Sequence, residues 1–413
     1  METNLASFIR DTPEGREADA ILRACVHCGF CTATCPTYQL LGDELDGPRG
    51  RIYLIKQVLE GTTPTAKTQL HLDRCLTCRA CETTCPSGVQ YGRLVDIGRN
   101  IVDERVGRSP TDRARRYALR RSLLTRPLFD TALSLGRLAK GFLPREIGDR
   151  VPVARDAGAW PAQRHARTML VMRGCVQPSL APNIDAAMAR VLDRLGVSPL
   201  QIEGGGCCGA LPFHLNEHDE ARDLARRNVD AWWPHIERGA EAIVVTASGC
   251  GVHVRDYAHL LARDPIYAEK AAKIGALARD PIEIVGQAWP SLVSSIASPN
   301  KRTKLAFHSP CTLQHGMKIR GAVERVLFDC GYELTPVADA HLCCGSAGTY
   351  SILQPELANA LKANKLRALE AGAPQTIATA NIGCLTHLQS GTRTPVRHWI
   401  EILDERLAQS THG

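Results

Sequence analysis

Residues 25–36 read CVHCGFCTATCP and residues 75–86 read CLTCRACETTCP. Each run sets four thiols in the order C-x2-C-x2-C-x3-C and closes on a proline. Gaps this short let three successive cysteines wrap one iron–sulfur cubane. The fourth reaches a different cluster, as in two-cluster ferredoxins. The spacing therefore predicts two [4Fe–4S] centres, one on Cys25, Cys28, Cys31 and Cys85, the other on Cys75, Cys78, Cys81 and Cys35. A single C-x2-C pair would keep zinc in contention; two full runs favour iron and sulfide. Pro36 and Pro86 are read as ends of the ligand loops, since proline fixes φ and has no N–H to donate. A thiolate-bound cubane is anionic and costly to bury, so Arg23, Arg74 and Arg79 are candidate counter-charges.

A second set of thiols occurs twice. Cys175, Cys207, Cys208 and Cys250 are matched by Cys311, Cys343, Cys344 and Cys384, offset by 136 residues at three positions and 134 at the last. Both copies carry Cys-Cys-Gly, whose glycine permits a tight turn beside the thiols. Three readings stay open for these eight cysteines: a further Fe–S cluster in each copy, a cluster in one copy with zinc or nothing in the other, or bare thiol pairs. His253 and His387 each follow the last cysteine by three residues, and each could be a ligand, a donor behind the ligands or a proton-handling group. His308, His315 and His341 surround the second set only and carry less weight. Cys330 reads as a core thiol. The stretch EGGGCCGA lacks the Lys-Ser/Thr of a phosphate-binding loop and is not taken for one.

These residues need elements to hold them. The 413 residues suffice for several domains, and 44% hydrophobic with 23% charged residues argues against disorder. The expected divisions are 1–105 for the ferredoxin-type part, 106–165 for a basic helical connector, and 166–300 and 301–413 for the two cysteine-rich copies. In each copy, short Val/Ile/Thr-rich runs alternate with helical stretches such as NIDAAMARVLDRLG, which predicts an α/β unit with a mainly parallel sheet. The fold class expected is thus α+β or α/β multidomain, a helical two-cluster domain followed by a duplicated α/β domain. Ligands gather beyond the carboxyl ends of parallel strands, so three strand ends could bring four thiols together in each copy. Between the ferredoxin runs, helix is expected around Leu54 to Leu59.

Seventeen cysteines in a chain whose opening METNLASFIRDTPEGREADA lacks a secretory pattern suggest reduced thiols and metal ligation, hence a cytoplasmic setting. No apolar run is long enough to span a bilayer. The net charge is +7, and residues 105–150 alone hold twelve Lys/Arg against four Asp/Glu. That segment is read either as a solvated connector or as a dock for an anionic lipid surface or acidic partner. Few aromatics are interleaved with these basic residues, so nucleic acid is not expected as a partner.

The combination of two ferredoxin runs with two Cys…Cys-Cys-Gly…Cys domains resembles the iron–sulfur subunits of flavoprotein dehydrogenases and heterodisulfide reductases. That family includes members for glycolate, lactate and anaerobic glycerol-3-phosphate oxidation. The likeness rests on ILRACVHCGFCTATCPTYQLLGDELDGPRGRIYLIKQVLEG, HLDRCLTC, NVDAWWPHIE, TASGCG, LCCGSAGTY, TANIGC and VRHWIEI, and lies nearest to the glycolate-oxidising members. It implies a complex with two flavoprotein-type subunits holding FAD on the partner side, where glycolate becomes glyoxylate. This chain would carry electrons through its two cubanes toward a quinone, peripherally on the inner face of the cytoplasmic membrane, with no catalytic residue of its own. Subunits of a lactate, other 2-hydroxy acid or glycerol-3-phosphate dehydrogenase, or a heterodisulfide reductase-like subunit with catalysis at the repeats, are the alternatives. Relatives of the heterodisulfide type end each repeat in C-x-x-C where this chain has His253 and His387, which puts cluster type and disulfide chemistry in question.

Overall fold

The computed structural model describes residues 1–142, 152–296 and 302–409. The N-terminal part is helical. Thr12 caps helix Pro13–Ala24 by accepting from the Gly15 N–H, with proline at the first helical position, and the helix stops one residue before Cys25. Helix Ala66–Asp73 opens with a Thr65/Thr68 capping box and ends just ahead of Cys75. Both ferredoxin runs are therefore delivered by a helix C-terminus. Between them lie helices Pro36–Leu41 and Pro48–Leu59, the second covering the expected helical stretch. Pro36 begins a helix rather than merely closing a loop. Helix Tyr91–Val106 follows the second run, and Leu22, Ile55, Leu59, Leu72, Leu94 and Val95 form the core beneath both runs.

The connector forms helices Pro110–Leu124 and Arg126–Ala139; its residues 143–151 lie outside the described residues. Two four-stranded parallel sheets follow. The first has β1 (Arg167–Val171), β2 (Val197–Leu200), β3 (Ile243–Val244) and β4 (Ala278–Arg279) in the order β2-β1-β3-β4. The second has β5 (Thr303–His308), β6 (Tyr332–Leu334), β7 (Thr376–Thr379) and β8 (Val396–His398) in the matching order β6-β5-β7-β8. The repeated cysteine spacing thus reflects a repeated topology. One core runs through both sheets, from Val171 and Met188 to Leu305, Ile377 and the fully buried Trp399. Arg190 bridges to Asp404 at 2.7 Å across the two repeats.

The helical domain docks on both repeats. Asp256 of the first receives Arg79 and Arg93, each at 3.0 Å. On the second, His315 Nδ1 lies 2.9 Å from Thr83 Oγ1, and the Tyr350 hydroxyl donates to Arg74 O. The connector's charge is partly consumed by pairing: Arg108 and Arg116 meet Asp73 and Asp112, and Arg120 meets Glu217 and Glu220. No described helix is long and apolar enough to cross a membrane.

Candidate iron–sulfur sites and the cysteine-rich repeats

Both ferredoxin runs adopt the same backbone. His27 and Gly29 in the first run, and Thr77 and Arg79 in the second, have φ between 53° and 85°. A β-branched threonine with left-handed φ costs energy and persists only where its surroundings over-determine it. Here the Arg99 guanidinium, 8% exposed, holds the loop by donating to Thr77 Oγ1, Leu72 O and Cys75 O.

Two adjoining cavities open at these loops. One is lined by Cys25, Cys28, Cys31, Cys81 and Cys85. The other is lined by Cys35, Cys75, Cys78 and Cys81. The last cysteine of each run thus faces the other run's cavity, and Cys81 and Tyr91 touch both. Eight soft donors around two hollows fit two thiolate-bound clusters. Hydrogen bonds reach the sulfurs as well: the Thr77 N–H donates to Cys75 Sγ at 3.4 Å and the Tyr91 hydroxyl at 3.5 Å.

The two cavities differ in setting. Cys28 is exposed, flanked by exposed Val26 and Phe30, whereas Cys35, Cys75 and Cys81 are buried. Burial and the neighbouring thiols raise Cys31 to about 11 and drive Cys78 and Cys81 well up. Thiols so placed give up their protons only when a cation takes them. Arg51, 1% exposed, supplies positive charge beside the second cavity. Its fork reaches His71 O at 2.7 Å, Thr37 Oγ1 at 3.2 Å and Asp46 Oδ1 at 3.3 Å. Burial alone would lower the guanidinium, but Tyr91, Cys75, Cys35 and Asp46 push it up. Of the arginines singled out by adjacency, Arg74 pairs with Asp46 and Arg79 with Asp256, while Arg23 pairs with Asp19 at the surface. Sequence reading missed Arg51 and Arg99, which lie far along the chain from the thiols they serve.

In the repeats, each thiol follows a strand as parallel-sheet logic requires. Cys175 and Cys311 come after β1 and β5, the Cys-Cys-Gly turns after β2 and β6, and Cys250 and Cys384 on helices after β3 and β7. Gly209 (φ +94°) and Gly345 (φ +89°) donate their N–H to Cys207 Sγ and Cys343 Sγ, both at 3.4 Å. A Cβ at Gly345 would lie 2.6 Å from Ala358 O, so glycine is required there. Cys311 Sγ is 3.9 Å from Cys343 Sγ, and both pack with Cys78 of the helical domain.

The histidines differ from their sequence ranking. His387 Nε2 lies 3.3 Å from Ala358 O, and burial with the Lys362 charge lowers the ring to about 4. His253 lies tilted against Phe213, ring centroids 5.4 Å apart, with Nε2 unpartnered among the described residues, in a cavity shared with Cys78, Arg79 and Asp256. His315 bonds Thr83, and its Nε2 is 2.8 Å from the carbonyl of His341. His308, given little weight from the sequence, ends strand β5 and meets Cys344 and Cys384. Cys330 is fully buried in the shared core, as read.

A family model for a 4Fe-4S dicluster domain matches residues 21–89, and one for a cysteine-rich domain matches residues 169–255 and 305–389. The chain is 54% identical over 408 residues to the glycolate oxidase iron-sulfur subunit of Escherichia coli (strain K12), covering 98% of this chain and 99% of the relative. It belongs to that iron–sulfur subunit family. The probable glycolate oxidase iron-sulfur subunit of Bacillus subtilis (strain 168) is 29% identical over 398 residues, 89% of this chain and 88% of the relative. Lactate utilization protein A of Exiguobacterium sp. (strain ATCC BAA-1283 / AT1b) is 24% identical over 242 residues, 57% of this chain and 96% of the relative. This chain is therefore an iron–sulfur component of an oxidoreductase family, built from one dicluster domain and two cysteine-rich domains.

Proposed function

We propose that this chain is the electron-transfer subunit of a glycolate dehydrogenase complex that oxidises glycolate to glyoxylate on an FAD held by partner subunits. The observation that carries the reading is the row of thiols from exposed Cys28, through the two adjoining cavities, to Cys78 against the second repeat. Cys25, Cys28, Cys31 and Cys85 are the proposed ligands of one [4Fe–4S] cluster, and Cys75, Cys78, Cys81 and Cys35 those of the other. Each cluster, when bound, supplies a one-electron relay.

The residues around these ligands have distinct tasks. Val26 and Phe30, 67% and 61% exposed, frame Cys28 with apolar surface suited to a flavoprotein partner. Arg51 and Arg99 offset buried negative charge at the second site and hold its loop. The Arg79–Asp256–Arg93 bridge fixes the helical domain on the first repeat. Cys175, Cys207, Cys208 and Cys250 form a candidate site for a further cluster, and the acceptor is a quinone. Attachment to the inner face of the cytoplasmic membrane is supported by helix Arg126–Ala139, where Leu128, Leu135 and Leu138 are exposed among basic residues.

The test is the anaerobically purified chain, alone and with its flavoprotein partners. Alone it should show Fe–S absorption and no glycolate oxidation; with them, glycolate should reduce its clusters. Val26→Glu with Phe30→Glu should leave the spectrum intact and cut cluster reduction by glycolate at least ~10-fold, since a charge at an apolar contact costs more than ~1.4 kcal/mol. Glycolate turnover by the isolated chain would refute the reading.

A further inference from the structure

His308, Cys344 and Cys384 arrive from three separate places, the end of β5, the Cys-Cys-Gly turn after β6 and the helix after β7. Their ligand atoms all lie within 4.8 Å of one another. The three residues are 2%, 1% and 4% exposed. Neither ring nitrogen of His308 has a hydrogen-bond partner among the described residues. An imidazole sealed from water with both nitrogens idle is costly unless something accepts its lone pair. Cys384 Sγ accepts a hydrogen bond from Asn381 Nδ2 at 3.6 Å, an arrangement that favours a thiolate.

We propose that these three residues hold a single zinc ion. A tetrahedral zinc with bonds near 2.0 Å to nitrogen and 2.3 Å to sulfur sets its ligand atoms about 3.5–3.8 Å apart, inside the 4.8 Å within which these atoms lie. A cubane places its thiolates on four different irons and needs them farther apart. None of the eight N-terminal thiols belongs to a group of three this tight. A mixed thiolate and imidazole set suits zinc, which imposes no preference of its own on the geometry. Cys343, next to Cys344 and 5% exposed, lies outside this group of three, and the fourth position falls to it or to water.

Among its described residues the first repeat has no such group. Its position equivalent to His308, 136 residues earlier, is Met172, a buried side chain at the end of the matching strand. The duplicated domain has thus diverged, and the second copy gains an ion that carries no electrons. Its task is to lock β5, the turn after β6 and the helix after β7 together. Cys311 and Cys343 are thereby kept against Cys78 and the second cluster cavity.

The experiment is zinc and iron analysis with zinc-edge X-ray absorption on the anaerobically purified full chain. About one zinc per chain is expected, with sulfur and imidazole scattering at the distances above. His308→Ala should lose zinc to a chelator at least ~10-fold faster, with iron content unchanged. His308→Cys should keep zinc but lose the imidazole signal. Cys330→Ser, a core thiol away from the site, should change neither. A zinc-free chain, a sulfur-only shell in the unsubstituted chain, or unchanged zinc retention in His308→Ala would overturn the proposal. Should His308→Ala fail to fold, the shell of the unsubstituted chain decides alone. Iron in the N-terminal sites is counted separately, so the proposal can fail while the electron-transfer reading stands.

Discussion

Replacing Arg51 with methionine removes the buried cation beside the second cluster cavity while keeping most of the side-chain volume. Breaking a buried ion pair from one side costs about 3–5 kcal/mol because the partner stays charged and buried. Here Asp46 keeps Arg74 at 2.7 Å and His71 at 3.1 Å, which places the loss near the lower end, about 3 kcal/mol. With a urea m-value of about 2 kcal/mol/M, the midpoint of the helical domain's unfolding should fall by roughly 1.5 M. The charge also favours added electrons. A unit charge at roughly 8 Å and an effective dielectric constant of about 20 contributes about 2 kcal/mol, or about 90 mV for one electron. An EPR-monitored redox titration should show the cluster on Cys75, Cys78, Cys81 and Cys35 shifted down by that order, and the other scarcely moved. Arg51→Lys, which keeps the charge but not the three-way fork, should retain the potential and lose part of the stability. Equal shifts in both signals, or an unchanged urea midpoint, would refute the reasoning.

Gly345→Ala combines a positive φ with a Cβ 2.6 Å from Ala358 O and should destabilise the second repeat by about 2–5 kcal/mol. Gly348→Ala, at φ +60° with open space around it, should cost only the backbone strain of about 1–2 kcal/mol; equal melting losses would contradict this. Asp185, hydrogen-bonded by Thr246 and Gln177, is raised by burial to about 7. Its contribution to stability is full below the ordinary carboxylate range and is lost as pH rises from about 4 to 7, at about 1.4 kcal/mol per pH unit. Asp185→Asn should flatten that part of the chemical-denaturation profile. Leu128→Ser, Leu135→Ser and Leu138→Ser together should release the complex from anionic vesicles, and undiminished co-sedimentation at low salt would count against membrane attachment by that helix.

The dicluster domain was legible because its thiols are local, three of each four within seven residues; the swap of Cys35 and Cys85 is the proposal that the same spacing suggests. The duplicated α/β unit was legible from thiol intervals that map directly onto strand ends. His308 was not, since its encounter with Cys344 and Cys384 exists only once three strands lie side by side; its one clue was a position three residues before Cys311 at the end of a strand. Adjacency picked out Arg79, which lines the second cavity, but it also picked Arg23 and gave no sign of Arg51 or Arg99. Arg23 sits beside Cys25 yet faces solvent, whereas Arg51 and Arg99 project from helices packed under the loops. The connector's positive charge left a solvated connector and a docking surface both open, because a charge count does not show that Arg108, Arg116 and Arg120 already have acidic partners.

The central claim, that the fourth cysteine of each run serves the other run's cluster, is tested by Cys85→Ser in the anaerobic chain, with iron, acid-labile sulfide and EPR measured together. The unsubstituted chain should hold about eight irons in its N-terminal domain. Cys85→Ser should damage the cluster that shares Cys25, Cys28 and Cys31 and leave the signal of the Cys75, Cys78 and Cys81 cluster intact, while Cys35→Ser should do the reverse. Loss of the Cys75, Cys78 and Cys81 signal in Cys85→Ser, or zinc in place of iron at these thiols, would contradict the account.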